Sequence, residues 1–469
     1  MLTQKHFLKV ILLGAPLLVA MVSEFFMYMA DSAMVGRLGT RYLAAIGFAT
    51  LFAEVLFVIV WPFAPGTQAL TARRFGQQTA VKGNDMAAYQ RLQQKTGEIL
   101  DNSILVAFTV GICTIALAGY SQEILKLLLS DSELIPLANA YIRIIKWVMP
   151  VAAVFFSLHG FLAAINLTRI IMVATVGLNI LNILFNYALI FGKFGMPALG
   201  IQGAAIGTVM AQSLGTAFLL TYVIFSRKTR GYWCCRFRRP QWRLMKDIML
   251  SSSPMIVQLA TALTIYLYFE SIVAALGTVY LAVTHIVFTA FFLNRTLVEG
   301  FAEGGSILIG NHLGRSDRKE ALRYAYATEA IALCLGLLLV TLILVFPESI
   351  VRVFNKEAET VAIGAGALKF FAGFLLVTSI GYPIEIIFTH NGWGRYALLA
   401  ETIPIFAFAL GLTLLLIKYF HMGIYAAWLS FGLYMIAYTA LLVIGFFSKK
   451  WLEVSVESQV VECQPAPSH

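Results

Sequence analysis

Charge is what this 469-residue chain has least of. Only 12% of its residues are Asp, Glu, Lys or Arg, against 59% hydrophobic, where a soluble domain carries roughly 25% charged residues. A soluble globular protein is thereby excluded, and a mean hydropathy of +0.81 agrees. Cysteine is scarce too: Cys113, Cys234, Cys235, Cys334 and Cys463 are too dilute for a disulfide scaffold, and no pair has metal-ligand spacing. The 13 prolines and 36 glycines keep no short period, which excludes a collagen-like or low-complexity chain. A polytopic membrane protein remains. Its 13% aromatic content suits bundled helices with interfacial Tyr and Trp better than a barrel, whose strands alternate apolar and polar residues.

A membrane-crossing helix needs about 20 mainly apolar residues. Twelve such segments are centred near Val19, Leu56, Ile112, Ala153, Leu181, Leu214, Leu263, Phe291, Leu337, Phe374, Ala407 and Met435. The apolar run after Met1–Val10 is too long for a cleaved signal and is expected to be the first span. Ser226 to Lys246 holds eight basic residues, Arg227, Lys228, Arg230, Arg236, Arg238, Arg239, Arg243 and Lys246, and no acid. Other even-numbered loops are basic as well, while Asp131, Glu133, Glu348, Glu357 and Glu359 fall in odd ones. The positive-inside rule then places both termini in the cytoplasm. The net charge of +10 needs no nucleic acid to explain it, since no aromatic-basic module accompanies it. Cys113 and Cys334 read as small hydrophobes in apolar runs. Cys234 and Cys235 admit palmitoylation, redox chemistry or plain reduced thiols.

The chain repeats itself. Leu38-Gly39-Thr40 and Tyr42-Leu43-Ala44 recur as Leu276-Gly277-Thr278 and Tyr280-Leu281-Ala282, an offset of 238 (276 against 38). The same offset carries Pro16 onto Pro254, Gly66 onto Gly304 and Gly76 onto Gly314. Later Gly200-Ile201 with Ala204 matches Gly423-Ile424 with Ala427 at an offset of 223 (423 against 200), so the first half has extra residues after Gly76. Two parallel six-span halves imply a transporter, with sites near mid-membrane between or within the halves. The expected organisation is an N-lobe over 1–225, a basic cytoplasmic linker over 226–246, a C-lobe over 247–448 and a flexible tail over 449–469.

Ionisable residues inside spans are expensive to bury, which makes each a functional candidate. Glu24 and Asp31 lie seven residues apart in the first span, about two turns, so both face nearly the same way. Asp31 alternatively pairs with Arg37 at the interface. In the fifth span Asn179, Asn182 and Asn186 gather, the last two sharing a face. They suit a monovalent cation, a proton-carrying Asp, or interhelical hydrogen bonding. The second half contributes Glu270, Glu299, Glu303 and Glu385. Glu299 and Glu303 are four residues apart and would repel unless one is protonated or a cation lies between. His159, His285 and His390 are protonation partners or packing residues.

The segments Asp31-Ser32-Ala33-Met34-Val35-Gly36-Arg37-Leu38-Gly39-Thr40, Gly66-Thr67-Gln68-Ala69-Leu70, Asn182 to Gly192 and Gly200-Ile201-Gln202-Gly203-Ala204-Ala205 resemble the multidrug and toxic compound extrusion (MATE) family, over essentially all twelve spans. The resemblance implies an all-α polytopic membrane protein of twelve transmembrane helices in two pseudo-symmetric six-helix lobes, V-shaped, exporting organic, often cationic, compounds in exchange for protons or sodium. By it Asp31 matches the first-helix coupling aspartate, Asn182 and Asn186 the fifth-helix pair, and Thr208 a sixth-helix threonine near the cation. If sodium is the ion, Asp31, Asn182 and Asn186 are its ligands. The second-lobe acids of the norfloxacin-exporting branch have no match at Ala262 or in Thr378 to Tyr382, which favours coupling through the first lobe.

The sequence therefore leads to a secondary active exporter without enzymatic activity or cofactor other than H⁺ or Na⁺. Its expected setting is a bacterial inner membrane, as a monomer whose partners are a small-molecule substrate and the bilayer. Glu24, Tyr28, Glu270, Glu299, Glu303 and Glu385 are its substrate-cavity candidates. A lipid-linked precursor flippase or a dedicated natural-product exporter on the same scaffold is the alternative. A flippase calls for a strongly basic cavity, whereas the clear charges within spans read as acidic.

Overall fold

The computed structural model describes residues 2–128, 133–236 and 240–455. Asp131, Arg238, Arg239, Cys463 and the end of the expected tail lie outside them. In the first half α1 (Gln4–Gly36) precedes α2 (Thr40–Val60) and α3 (Phe63–Val81), which together cross once. Next come α4 (Met86–Ala118), the short α5 (Ser121–Leu128), α6 (Leu134–Ile145), α7 (Val148–Ala164), α8 (Thr168–Phe191) and α9 (Ile201–Phe225). The second half holds α10 (Trp242–Leu276), α11 (Thr278–Gly314), α12 (Arg318–Val345), the short α13 (Pro347–Phe354) and α14 (Ala358–Thr389). α15 (Gly394–Pro404), prolonged by π-helical turns over Ile405–Leu412 and Leu415–Tyr419, leads to α16 (Ile424–Ser448).

Among the described residues eleven helices are long and apolar enough to span a membrane, and α6 with α7, bent by 46°, makes a twelfth. Each of the twelve expected centres falls in its own span. Proline places the irregularities. Pro62 cannot donate to the carbonyl one turn back and separates α2 from α3, while its repeat equivalent, Gly300, lets α11 run unbroken. Pro150 does the same beside Lys146 and Trp147, where α6 gives way to α7. The repeated Leu-Gly-Thr has a backbone cause: Gly39 (φ 122°) and Gly277 (φ 144°) make the tight turns from α1 to α2 and from α10 to α11, in a region that side chains avoid. α3 continues to Val81, beyond the place where α11 ends at Gly314, which accounts for part of the first half's surplus.

The lobes meet along a pseudo-twofold axis between α3 and the second half of α11. Residues separated by the repeat offset face each other there: Gln68 Nε2 donates to Ser306 Oγ at 2.9 Å, and Ala72 abuts Gly310. Off the axis, contacts come in pairs. A Cβ on Gly66 would lie against Ser252, and one on its equivalent Gly304 against Gly14, the equivalent of Ser252. Gly76 approaches Asn311 just as Gly314 approaches Arg73. This seam lies at the end of the bundle bearing the basic loops, where Arg315 also donates to Thr79 at 3.0 Å and His6 lies 2.9 Å from Glu320.

The linker is a docked segment. Tyr232 and Cys234 are buried. The amide of Cys235 donates to Asp101 Oδ1 at 2.5 Å and that of Gln241 to Asn102 Oδ1 at 2.9 Å, tying it to α4; its last residues, from Trp242, begin α10. The first part of the tail is ordered as well. Trp451 is buried, donates to the Phe446 carbonyl at 3.1 Å, and stacks on the Phe446 ring. Burial, with Asp101 nearby, raises the Cys235 thiol to about 11 and pushes Cys234 well up. A raised thiol pKa keeps the inert protonated form, which favours plain reduced thiols over a reactive pair.

Two measurements follow. In a variant retaining only Cys234 and Cys235, maleimide labelling is expected to be slow at pH 7–8 and to accelerate as pH rises toward 11, where the Cys235 thiolate forms; fast labelling at neutral pH contradicts the buried placement. Gly160→Val drives a side chain into the Ala64 carbonyl, 2.1 Å from the ideal Cβ, and should lower thermal stability by roughly 1–3 kcal/mol. Gly304→Val acts between the lobes instead: helix content is kept, and spin labels on α3 and α12 should move apart.

Candidate functional site

α8 is inverted relative to a soluble helix. Asn179, Asn182 and Asn186 are buried at 3%, 1% and 0% exposure, whereas Ile180 and Leu184 face outward at 54% and 50%. In hydrocarbon the amides must turn inward, since nothing outside can hydrogen-bond to them. They meet α1 and α9. Asn186 Nδ2 donates to Asp31 Oδ1 at 2.8 Å and to Asn182 Oδ1 at 3.0 Å, and Asn179 Nδ2 donates to Ser23 Oγ at 2.7 Å. Asn182 lies 3.0 Å from Thr208 Oγ1, whose hydroxyl donates to the Ala204 carbonyl. Gly207 makes room, for a Cβ there would lie 2.1 Å from Asn186 Oδ1. The structure thus brings Asp31, Asn182, Asn186 and Thr208 together; Asp31 has its hydrogen bond to Asn186.

Two orientations of the Asn182 amide fit this cluster. In one its oxygen accepts from Asn186 and its nitrogen donates to Thr208; in the other its nitrogen donates to both Asp31 oxygens at 3.2 Å, its oxygen takes the Thr208 proton away from the Ala204 carbonyl, and the nitrogen also faces Asn186 Nδ2 at 3.0 Å. The second suits an ionised Asp31. The first leaves the carboxylate fewer donors, as a protonated acid or a cation-bound carboxylate requires. Asn186 Oδ1, turned toward Gly207 and away from Asp31, is fully buried and has no hydrogen-bond partner among the described residues. Asp31, Asn182 and Thr208 face an N-lobe cavity of about 620 Å³ that Glu24, Tyr28, Glu54 and Tyr141 also line, with Asn186 buried behind them.

Glu24 and Tyr28 are shared with a second space of about 350 Å³ between the lobes. Its first-lobe wall includes Trp61, Phe155, Phe156 and His159, and its second-lobe wall Glu299, Glu303 and His390. Glu303 is 4% exposed, and its carboxylate lies 3.7 Å from His159 Nδ1 across the cleft. His390 is held by Thr389 at 3.1 Å.

Two expected cavity residues lie elsewhere. Glu270 accepts from Tyr266 at 2.7 Å and sits 3.2 Å from His285, lining none of the three cavities described here. Glu385 belongs to a separate C-lobe cavity of about 30 Å³, with Arg295, Tyr382, Glu401, Tyr434 and Tyr438. There Gln258 Nε2 donates to Glu385 at 2.8 Å, Tyr434 donates to Glu401 at 2.9 Å, and the Arg295 guanidinium lies 4.2 Å from the centre of the Tyr382 ring. Arg295 corrects the expectation that the charges within spans are acidic. Sequence reasoning passed over Arg295, Glu54 and Glu401, although the rule that flagged Glu24 applies equally to an acid in Phe52-Ala53-Glu54-Val55 or a guanidinium in Phe292-Leu293-Asn294-Arg295.

Comparison with known proteins agrees with this architecture. The MatE family model matches residues 16–188 and again 254–415, the second match starting at the repeat offset from the first. A relative named "Probable multidrug resistance protein NorM" from Agrobacterium fabrum is 28% identical over 386 residues, covering 80% of this chain and 79% of that protein. Its namesake from Thermotoga maritima is 24% identical over 451 residues, covering 94% and 92%. Among solved structures, the eukaryotic MATE transporter AtDTX14 superposes with a TM-score of 0.83 at 17% identity, covering 96% of this chain and 97% of that one. The outward-facing conformation of a multidrug resistance MATE family transporter of the MOP superfamily gives 0.83 at 19% identity, covering 95% of each. The chain, an integral membrane protein and no enzyme, belongs to the MatE family of transporters.

Proposed function

We propose that this MATE transporter is a secondary active exporter of organic, cationic or amphipathic compounds, driven by protons or sodium entering at Asp31. The observation that carries the reading is the cluster of Asp31, Asn182, Asn186 and Thr208, open to an N-lobe cavity that shares Glu24 and Tyr28 with the interlobe cleft. Loading Asp31 with a proton or ion changes which donors its carboxylate needs, and therefore how α1 sits against α8. Cargo and ion need not touch: it suffices that each changes the other's preference between two global states. The lobes meet at the end bearing the basic loops, which by the positive-inside rule is cytoplasmic, so the state described here is outward-open. Opening the other way means parting the glycine seam.

Glu24, Glu299 and Glu303 with the aromatic wall of the cleft favour a cationic cargo. They disfavour a pyrophosphate-bearing lipid precursor, whose headgroup would meet carboxylates. The protein operates in a bacterial inner membrane, with both termini cytoplasmic.

In proteoliposomes with separately imposed pH and sodium gradients, Asp31→Asn is expected to lose gradient-driven efflux of lipophilic cations at least tenfold while binding cargo in the cleft. Undiminished efflux at normal expression rejects the coupling role. The gradient that drives the wild type names the ion. Glu24→Gln is expected to raise KM for a monovalent cationic cargo by roughly two- to fivefold, the worth of one solvent-facing charge contact of about 0.5–1 kcal/mol, with little change for a neutral cargo. An equal effect on both cargoes assigns Glu24 to packing.

A further inference from the structure

The C-lobe cavity contains something the N-lobe cavity lacks, a cation belonging to the chain. Arg295 on α11 stacks on Tyr382 of α14 and lies within the electrostatic reach of Glu299, Glu385 and Glu401. A guanidinium keeps its charge at every physiological pH. The repeat supplies the comparison. At the offset of 238 the counterpart of Arg295 is Phe57, which lines the N-lobe cavity beside Asp31. One position of the duplicated scaffold is thus apolar in the cavity that holds Asp31, Glu24 and Glu54, and positive in the one that holds Glu385 and Glu401.

We propose that Arg295 is a tethered counter-cation: it takes the electrostatic place of a bound ion in the C-lobe, so that Glu385 and Glu401 hold no alkali cation while it is present. The cavity beside the guanidinium is small, about 30 Å³, and is lined by both acids and by Tyr382, Tyr434 and Tyr438, so the tethered charge sits among the oxygens that an ion would use. Glu385 and Glu401 are already served by neutral donors, Gln258 at 2.8 Å and Tyr434 at 2.9 Å. Only their excess negative charge is left to balance, and Arg295 balances part of it from within. The inference rests on the reading of ion-driven export through Asp31, which it restricts to one lobe.

The test is equilibrium binding of radioactive sodium to the purified full chain in lipid nanodiscs, with efflux measured in parallel. Any sodium bound by the wild type is expected to vanish in Asp31→Asn. Arg295→Met is expected to gain a site at least tenfold tighter than any residual binding; this site survives Asp31→Asn, disappears when Glu385→Gln is added, and is absent from Arg295→Lys. Wild-type sodium binding that survives Asp31→Asn and is removed by Glu385→Gln overturns the proposal, as does a folded Arg295→Met that binds no more than the wild type. Should Arg295→Met fail to fold, the wild-type, Asp31→Asn and Glu385→Gln measurements decide alone. Undiminished efflux by Asp31→Asn sinks the coupling reading without touching the sodium result, so the two failures are told apart.

Discussion

A polar atom inside a bilayer has no water to turn to, and this constraint shapes the molecule. It explains why α8 points three asparagines inward and its leucine and isoleucine outward, and why Ser, Thr and Asn side chains so often bond back to carbonyls of their own helix. It also decides where function resides. Glu24, Asp31, Glu54, Glu299, Glu303, Glu385 and Glu401 line the N-lobe cavity, the interlobe cleft or the small C-lobe cavity, whereas Glu329, buried with an unpartnered oxygen, lines none of them.

The scaffold is symmetric where the chemistry is not. Tight turns, the buried prolines Pro16 and Pro254, and the glycine contacts along α3 and α11 obey the offset of 238. The charged groups ignore it. The counterpart of Glu24 is Ala262, that of Asp31 is Phe269, and those of Arg295 and Glu299 are Phe57 and Trp61. The repeated frame therefore carries unlike interiors: one lobe presents Glu24, Asp31 and Glu54 to an open, partly aromatic space, and the other encloses Glu385 and Glu401 with a guanidinium.

Much of the fold was legible because the bilayer fixes span length independently of packing, so the twelve segments stood out by apolar length alone. The repeat was legible at Gly39 and Gly277 because their backbone angles leave no substitute. The grouping of Asp31 with Asn182 and Asn186 could be anticipated from the cost of burying them and from the family resemblance. Position around a helix was harder to read. Glu270 and Glu299 look alike in sequence, yet one ends beside His285 and the other in the cleft, a difference set by how α10 and α11 are rotated against their neighbours. The C-lobe cavity assembles residues from α10, α11, α14, α15 and α16, and no local pattern announces such a meeting. The π-helical turns after Pro404 shift the register of that span in a way that hydropathy does not record.

Gln68 and Ser306 touch where the rotation axis passes between them. In a dimer of two identical chains, a residue on that axis can only meet its own copy, and any replacement alters both sides at once. Joining the copies into one polypeptide removes that restriction: an amide may face a hydroxyl, and alanine may face glycine. A single gene carrying both halves can thus tune the hinge of its movement one side at a time.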